Sequence, residues 1–135
     1  MTGLVHALSL IGDRWALQVV AGLLDGPKRF GELGESLDGI APNILTARLR
    51  RLERDGVVVA TPYSRRPVRL AYSLSDTGRE LGGAIALLSA WGARQTGDTE
   101  GPVHDACGTP LEAHLYCSTC ERPADEVDVE AVRWI

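Results

Sequence analysis

The predicted helix that follows Pro42 constrains the fold more than any other segment. Leu45, Leu49 and Leu52 are spaced so that they share one face at about 100° per residue. Proline suits the first turn of a helix because the N–H group that it lacks would have no partner there. The opposite face is polar and cationic, and it carries Asn43, Thr46, Ala47, Arg50 and Arg54, with Arg51 beside it. The segment therefore predicts an amphipathic helix that packs on a core and presents a polar surface.

Three shorter helices are predicted ahead of this amphipathic helix. Apolar residues recur at helical spacing from Leu4 to Ile11, and Gly12 ends that first helix. The second helix runs from Arg14 to Leu24, and Asp13 is its predicted N-cap because its carboxylate can accept from the free N–H groups of the first turn. The third runs from Phe30 to Leu37. A short turn separates it from the amphipathic helix, which is the order of a helix-turn-helix.

A β-hairpin is predicted after the amphipathic helix. Val57 to Tyr63 is rich in β-branched residues, Val68 to Leu74 alternates in pattern, and Ser64-Arg65-Arg66-Pro67 joins the two strands. A last long helix then begins at Ser75 or Asp76 and runs through Trp91, although its glycines weaken it. The order of elements predicts a mainly α fold with a small β-hairpin wing, known as a winged helix-turn-helix.

Charge divides the chain into two parts. Residues 1–97 carry 12 basic and 9 acidic side chains, whereas residues 98–135 carry 2 basic and 9 acidic ones. Seven arginines fall within residues 48–69, which concentrates positive charge where a phosphate backbone can meet it. We therefore predict a DNA-binding and dimerisation domain over 1–97, followed by an acidic Cys/His segment over 98–135.

The polar face of the amphipathic helix suits the major groove of double-stranded DNA, which is about 12 Å wide and admits one helix. Asn43, Thr46 and Ala47 lie near the helix start, where side chains approach base edges, and Arg50 lies one turn further in. Asparagine can pair with adenine, arginine with guanine, and threonine or alanine with a thymine methyl group. Pro42 opens the same surface. The pattern predicts sequence-specific DNA binding.

Other arginines are placed for the phosphate backbone. Arg51 and Arg54 lie beside the base-reading face, whereas Arg48 is nearer the buried flank and could equally support the fold. Arg65 and Arg66 form the tip of the wing, where they can follow the backbone or enter a narrow minor groove, which attracts arginine. We expect a transcriptional regulator in which helix and wing both contact the duplex.

Alternative functions are weighed against the same residues. A winged helix whose basic face meets an acidic protein, with the Cys/His segment as a second contact, is the main alternative. An enzyme is not expected, because the chain has no Ser/His/Asp set, no glycine-rich phosphate loop and no paired acids in a plausible cleft. No apolar run approaches the roughly 20 residues of a membrane span, and no secretory signal is evident, so we expect a cytoplasmic protein.

Five motifs along the chain match one family in order and spacing. They are ALSLIGDRW from Ala7, LDGPKRFGEL from Leu24, IAPNILTARL from Ile40, LERDG from Leu52 and YSLSDTG from Tyr72. On these motifs the chain resembles the HxlR family of bacterial winged-helix regulators, over roughly residues 4–95.

The resemblance implies a homodimer built on the first and last helices. Its recognition helices would enter successive major grooves about 34–36 Å apart, with the wings on the flanking backbone. Some members sense oxidants or electrophiles through a cysteine just before the first helix, but this chain has Thr2 there, which puts that mechanism in doubt. Trp15 and Trp91 are expected to anchor the core or the dimer, and the alternative is that they line a pocket for a small-molecule effector between the first two helices and the last.

The C-terminal segment contains two pairs of potential metal ligands. His104 and Cys107 are separated by two residues, as are Cys117 and Cys120, and nine residues lie between the pairs. This spacing suits a tetrahedral Zn²⁺ site, and Gly108 would help the first tight turn. We therefore expect a structural Zn²⁺ cofactor in a small zinc-knuckle segment, because four protein ligands leave no open position for a substrate.

Three alternatives stay open for these ligands. His114 also lies three residues before Cys117 and competes with His104 as the fourth ligand. In the second alternative no metal is bound, and the three cysteines are reduced thiols that lie near a histidine by coincidence. In the third, Cys117 and Cys120 act as a redox pair. Apolar residues near the end of the chain are expected to pack back on the dimer: Val127, Val129, Val132, Trp134 and Ile135.

Overall fold

A computed structural model describes residues 2–97 and 101–124 of the chain. Two compact units are present, Met1–Ile85 and Ala86–Ile135, and the last helix crosses from one to the other. The predicted domain boundary at residues 97 and 98 stays a prediction. The apolar residues expected to pack back on the dimer, from Val127 onward, lie outside the described residues.

Four helices precede the hairpin, and they confirm the predicted order. They are α1 (Thr2–Ile11), α2 (Ala16–Gly22), α3 (Phe30–Ser36) and α4 (Pro42–Arg54). The predicted N-cap, Asp13, lies ahead of the observed one, because α2 begins at Ala16 and its N-cap is Trp15, which makes no side-chain capping bond. Asp13 stabilises the turn before the helix, where its Oδ1 atom accepts from the backbone N–H groups of Trp15 at 2.9 Å and Ala16 at 3.0 Å.

The wing is part of a three-stranded antiparallel sheet with the order β1-β3-β2. Its strands are β1 (Lys28–Arg29), β2 (Val58–Arg65) and β3 (Val68–Leu74). The two predicted strands are confirmed, although β2 extends to Arg65 and the tip is therefore shorter than predicted. Strand β1 was not predicted, because two residues are too few to show an alternating pattern. It pairs Lys28 with Tyr72 and so ties the start of α3 to the wing.

The core of the first unit lies between α2, α3, α4 and the base of the wing. Each leucine or valine buried there contributes roughly 1.5–3 kcal/mol relative to an exposed position. Ile11, Phe30, Ile40, Tyr72, Leu81 and Ile85 pack around it as partly buried neighbours. The buried core residues are Ala16, Val19, Val20, Leu23, Leu33, Leu37, Leu45, Leu49, Leu52, Val57, Val58 and Leu74.

The single long helix predicted after the wing is wrong, since the structure has two helices there. They are α5 (Asp76–Arg79) and α6 (Gly82–Thr96). Ser75 caps α5 by accepting from the N–H group of Gly78 at 3.0 Å, and its hydroxyl donates to the Gly56 carbonyl at 2.6 Å. Glycine at 78, 82 and 83 lowers the helical propensity across the junction, which is consistent with a break there.

The second unit contains short antiparallel pairings. Strands β4 (Leu115–Cys117) and β5 (Arg122–Ala124) form one hairpin, with Cys117 opposite Arg122. An isolated bridge between Val103 and Pro110 closes another. Both hairpins end in tight turns, and these turns contain the predicted metal ligands.

Two glycines of the first unit make a matched test of this packing. A Cβ atom at Gly78 would lie 2.2 Å from the Val57 carbonyl oxygen, whereas one at Gly83 would meet nothing within 4 Å. We expect Gly78→Ala to lower the free energy of unfolding by about 1–3 kcal/mol, as overpacking does. Gly83→Ala should raise it by about 0.4–1 kcal/mol. Urea unfolding measures both, and equal effects of the two substitutions would contradict the close approach at Gly78.

Candidate nucleic-acid interface

The orientation of α4 is fixed by its apolar face. Leu45, Leu49 and Leu52 are each no more than 1% exposed, so this side of the helix lies in the core. The turn from α3 contains Gly39 with φ of +77°, a backbone conformation that glycine adopts without a Cβ clash. Because the leucines are buried, the remaining faces of α4 lie at the surface of the first unit.

The structure brings most of the predicted DNA-binding residues of α4 to this surface. Thr46 and Arg51 are partly exposed, and the Thr46 hydroxyl donates to the Pro42 carbonyl at 3.0 Å. The first turn of α4 has no side-chain cap and no acidic residue. Its backbone N–H groups and the positive end of the helix dipole are therefore suited to a phosphate. The exposed members are Pro42, Asn43, Ala47, Arg50 and Arg54.

Arg48 supports the fold. Its Nη1 atom lies 3.1 Å from Oδ2 of Asp13, and both side chains are only about a quarter exposed. Since the other oxygen of Asp13 accepts from the N–H groups of Trp15 and Ala16, one carboxylate connects the start of α2 to the middle of α4. This ion pair holds α4 at a second point beside its leucines. The sequence identified Asp13 as a cap, but no local pattern indicated its partner 35 positions away.

Arg51 is also engaged within the chain. Its guanidinium donates to the Ser9 carbonyl at the end of α1, and its Nε atom lies 3.7 Å from Asp55 Oδ2. Arg51 thus connects α4 to α1 and is less available than Arg50 and Arg54. Its predicted contact with a phosphate stays a prediction.

The wing ends in an exposed two-residue tip, Arg66 and Pro67, and Arg65 is exposed beside it as the last residue of β2. Arg65 pairs with Val68 across the hairpin, and the Ser64 hydroxyl donates to the Pro67 carbonyl at 2.9 Å. The tip is therefore braced by a hydrogen bond as well as by the strand register.

An open groove of about 370 Å³ lies between the start of α3 and the wing. The guanidinium of Arg29 lies 4.3 Å from the centre of the Tyr63 ring, a cation–π distance. Burial raises the pKa of Tyr72, Glu53 raises it further, and Arg50 opposes the shift. Among the residues that the structure describes, this groove differs from the effector pocket expected near Trp15 and Trp91.

The predicted metal ligands form two pairs in the second unit. Nδ1 of His104 lies 3.4 Å from Sγ of Cys107, and the N–H group of Cys120 donates to Sγ of Cys117 at 3.5 Å. Hydrogen bonds from the side chain and backbone of Thr109 lower the pKa of Cys107. Within residues 2–97 and 101–124, no three His, Cys, Asp or Glu side chains are grouped closely enough to hold a metal ion.

Comparison with known proteins places this fold in a family. The model of the HxlR-like helix-turn-helix family matches residues 10–100, and the chain belongs to that family. It is a DNA-binding transcriptional regulator, and the family and its relatives are regulators rather than enzymes. In the described part of the chain, no helix is both long and apolar enough to cross a bilayer.

Particular relatives support the same assignment. The uncharacterized HTH-type transcriptional regulator Rv3095 of Mycobacterium tuberculosis is 38% identical over 119 residues, covering 85% of this chain and 75% of the relative. The crystal structure of a putative HTH-type transcriptional regulator, ytcD, matches with a TM-score of 0.66 at 36% identity, covering 72% of this chain and 99% of the other. The quinone-bound YodB of Bacillus subtilis matches with a TM-score of 0.59 at 30% identity, covering 70% and 98%. The predicted winged helix-turn-helix is confirmed.

Removing the cation of the Asp13–Arg48 pair should destabilise the first unit. We expect Arg48→Ala to lower the free energy of unfolding by about 1–3 kcal/mol, because the carboxylate loses a charged partner. A double-mutant cycle with Asp13→Ala should give a coupling of about 0.5–3 kcal/mol. Arg54→Ala is the matched control on the same helix, and its exposed side chain should change stability by less than about 0.5 kcal/mol. Urea unfolding in which both arginine variants behave alike would refute the structural role of Arg48.

Proposed function

We propose that this protein acts as a homodimeric, sequence-specific regulator whose α4 enters the major groove of double-stranded DNA. The observation that carries the proposal is the division of α4 into a buried leucine face and an exposed face of hydrogen-bonding and cationic side chains. A helix held by its own core can present those side chains at a fixed angle. The exposed first turn can then approach base edges with little rearrangement.

Base reading is assigned to three side chains of α4. Asn43 is exposed in the first turn and can pair with adenine in a bidentate manner. Thr46 and Arg50 follow along the helix, with about one turn between them, and Arg50 can pair with the O6 and N7 atoms of guanine. Pro42 and Ala47 have small or compact side chains that allow close approach. This set supplies different contacts at different base pairs, as sequence specificity requires.

Phosphate contacts are assigned to the arginines at the edges of this surface. Arg54 is exposed at the end of α4, and Arg65 and Arg66 are exposed at the wing tip. Arg51 is also assigned to this group, because part of its side chain stays exposed although it is bonded to α1 and Asp55. Such contacts position the protein on the duplex but carry no direct sequence information.

A homodimer is proposed from two unpartnered apolar helices. Neither α1 nor α6 has a buried residue, although both are rich in apolar side chains. On α1, Leu4 and Leu8 are 51% and 55% exposed, and on α6 Leu88 and Trp91 are 53% and 59% exposed. Exposed apolar helix faces of this kind mark interaction sites. A second copy that covers them would give a two-fold pair of recognition helices.

Duplex binding should depend on Arg50 and on salt. With a duplex selected from a random pool, we expect Arg50→Ala to weaken binding by about 1–3 kcal/mol and to relax specificity at one base pair. Arg65→Ala and Arg66→Ala should instead weaken binding to all sequences and reduce the log–log salt slope by about 1 each. Mobility-shift titrations at several salt concentrations measure both effects. Arg94→Ala removes an exposed arginine from α6 and serves as the charge-matched control.

The same titrations separate DNA binding from the alternative of a protein-interaction module. A regulator should show a slope of about −0.9 for each phosphate that it neutralises on duplex DNA. If the purified protein binds no duplex from the pool, or if Arg50→Ala and Arg94→Ala weaken binding equally, the assignment of α4 as a recognition helix is wrong. A basic face that captures an acidic protein would then be the better account.

The dimer has its own test on the apolar face of α1. We expect size-exclusion chromatography with light scattering to give twice the chain mass of 14.5 kDa. Leu8→Asp should shift the protein to a monomer, because a buried carboxylate would have no partner at the interface. Val68→Asp replaces a more exposed apolar residue on the wing and should leave the dimer intact. A monomeric wild-type protein would contradict the proposal.

A small-molecule effector is proposed as a second element of the function. One related structure, YodB, is described as quinone-bound. In this chain the groove between the start of α3 and the wing is bordered by Tyr63, Tyr72 and Arg29, which suits a flat, polar molecule. An occupant there would contact both α3 and the wing. Such a regulator would act in the cytoplasm, where bacterial DNA is located.

A further inference from the structure

We propose that the second unit binds one Zn²⁺ ion through His104, Cys107, Cys117 and Cys120, and that the ion joins its two hairpins. None of these residues has a part in DNA binding as proposed above. The proposal rests on the correspondence between two turns that are separate in the sequence and alike in backbone structure.

The first turn is formed by His104 to Gly108. Bonds on either side of it join His104 N–H to the Thr109 carbonyl at 2.9 Å and Leu111 N–H to the Pro102 carbonyl at 2.7 Å. Within the turn, the N–H groups of Cys107 and Gly108 both donate to the His104 carbonyl, at 3.1 and 2.7 Å. Gly108, four positions after the first ligand, has φ of +69°. The turn brings its two ligands together, with 3.4 Å between His104 Nδ1 and Cys107 Sγ.

The second turn shares two of these features, since it also closes an antiparallel pairing and has a positive φ four positions after its first ligand. Cys117 ends β4, and it pairs with Arg122 at the start of β5. The N–H group of Cys120 donates to the sulfur of Cys117 at 3.5 Å. Glu121, again four positions after the first ligand, has φ of +53°. Among the described residues it is the one non-glycine residue with a positive φ.

The positive φ of Glu121 is informative because a side chain other than glycine rarely adopts it. Such a conformation is retained only where its surroundings require it, and it is concentrated at functional sites. At the corresponding position of the first turn the chain has glycine. The two turns therefore share a positive φ at the same position. Glycine explains it in the first turn, but the conformational preference of glutamate does not explain it in the second.

The two ligand pairs are formed separately in this structure. No three candidate ligands are grouped closely enough for a metal ion in residues 101–124. A tetrahedral ion with Zn–S distances of about 2.3 Å and a Zn–N distance of about 2.0–2.1 Å would draw the two turns together. It would displace one proton from each of three thiols and leave a site of net charge −1.

The fourth ligand is assigned to His104 and not to His114. In the first turn, the ring atom Nδ1 of His104 already lies beside the thiol of Cys107. Nε2 of His114 lies instead 3.2 Å from Oε2 of Glu112, outside both turns. His114 therefore belongs to the segment between the two ligand pairs.

Zinc would also supply the folding energy that this unit lacks. The buried core contains no residue from 101–124, where Val103, Leu111, Leu115 and Tyr116 are all more than half exposed. Segments with so little buried apolar surface depend on metal binding for stability, because the binding free energy is coupled to folding.

The test uses the full-length protein and two metals. Elemental analysis of protein purified without chelator should give one zinc per chain. After zinc removal under reducing conditions, a Co²⁺ titration should saturate at one equivalent and show the intense visible bands of tetrahedral cobalt with thiolate charge-transfer absorption. Cys107→Ser, Cys117→Ser and Cys120→Ser should each reduce affinity by more than the roughly 10- to 100-fold typical of losing an outer-shell partner.

The histidine variants decide the ligand assignment. His104→Ala should weaken Co²⁺ binding and change the visible spectrum, whereas His114→Ala, the matched control, should leave both unchanged. The reverse result would overturn the assignment of His104. Protein without zinc that also gives no tetrahedral cobalt spectrum, while all three thiols react freely with a thiol reagent, would overturn the site itself. Duplex binding by the same samples is a separate readout, so the failure of one proposal does not imply the failure of the other.

Discussion

The burial of Leu45, Leu49 and Leu52 is the constraint on which the rest of the winged helix depends. These residues fix the rotation of α4 about its own axis, and a change in that rotation would turn the arginines toward the core. The Asp13–Arg48 ion pair adds a polar restraint between α4 and the start of α2. Apolar burial and the ion pair hold α4 in the same orientation. The exposed face of α4 is therefore set by the folded core, and no loop has to become ordered on binding to form it.

The sequence predicted α4 and the two strands of the wing because their patterns are local. The leucines of α4 repeat at helical spacing, and the hairpin strands alternate between turn residues. The family motifs then connected these elements to a known class of regulator, which the comparisons confirmed. What the sequence predicted well was therefore the four helices before the wing, the two long strands of the wing and the side of α4 that faces the core.

Other features could not be predicted because they depend on contacts between distant parts of the chain. Strand β1 forms only because Lys28 and Arg29 meet β3, and two residues show no period of their own. Gly78 in α5 lies close under the Val57 carbonyl, a contact between distant positions that no local pattern indicates. The bond from Arg51 to Ser9 could be seen only in the structure, and it makes one predicted phosphate ligand part of the internal framework.

Methylation interference on a selected duplex tests the central claim most directly. Methylation of guanine N7 blocks the major groove without changing the phosphates. If α4 reads base edges in a homodimer, interference should fall in two clusters whose centres lie about one helical turn, 34–36 Å, apart. Binding that tolerates N7 methylation at every guanine, yet is lost when adenines are methylated at N3 in the minor groove, would contradict the placement of α4.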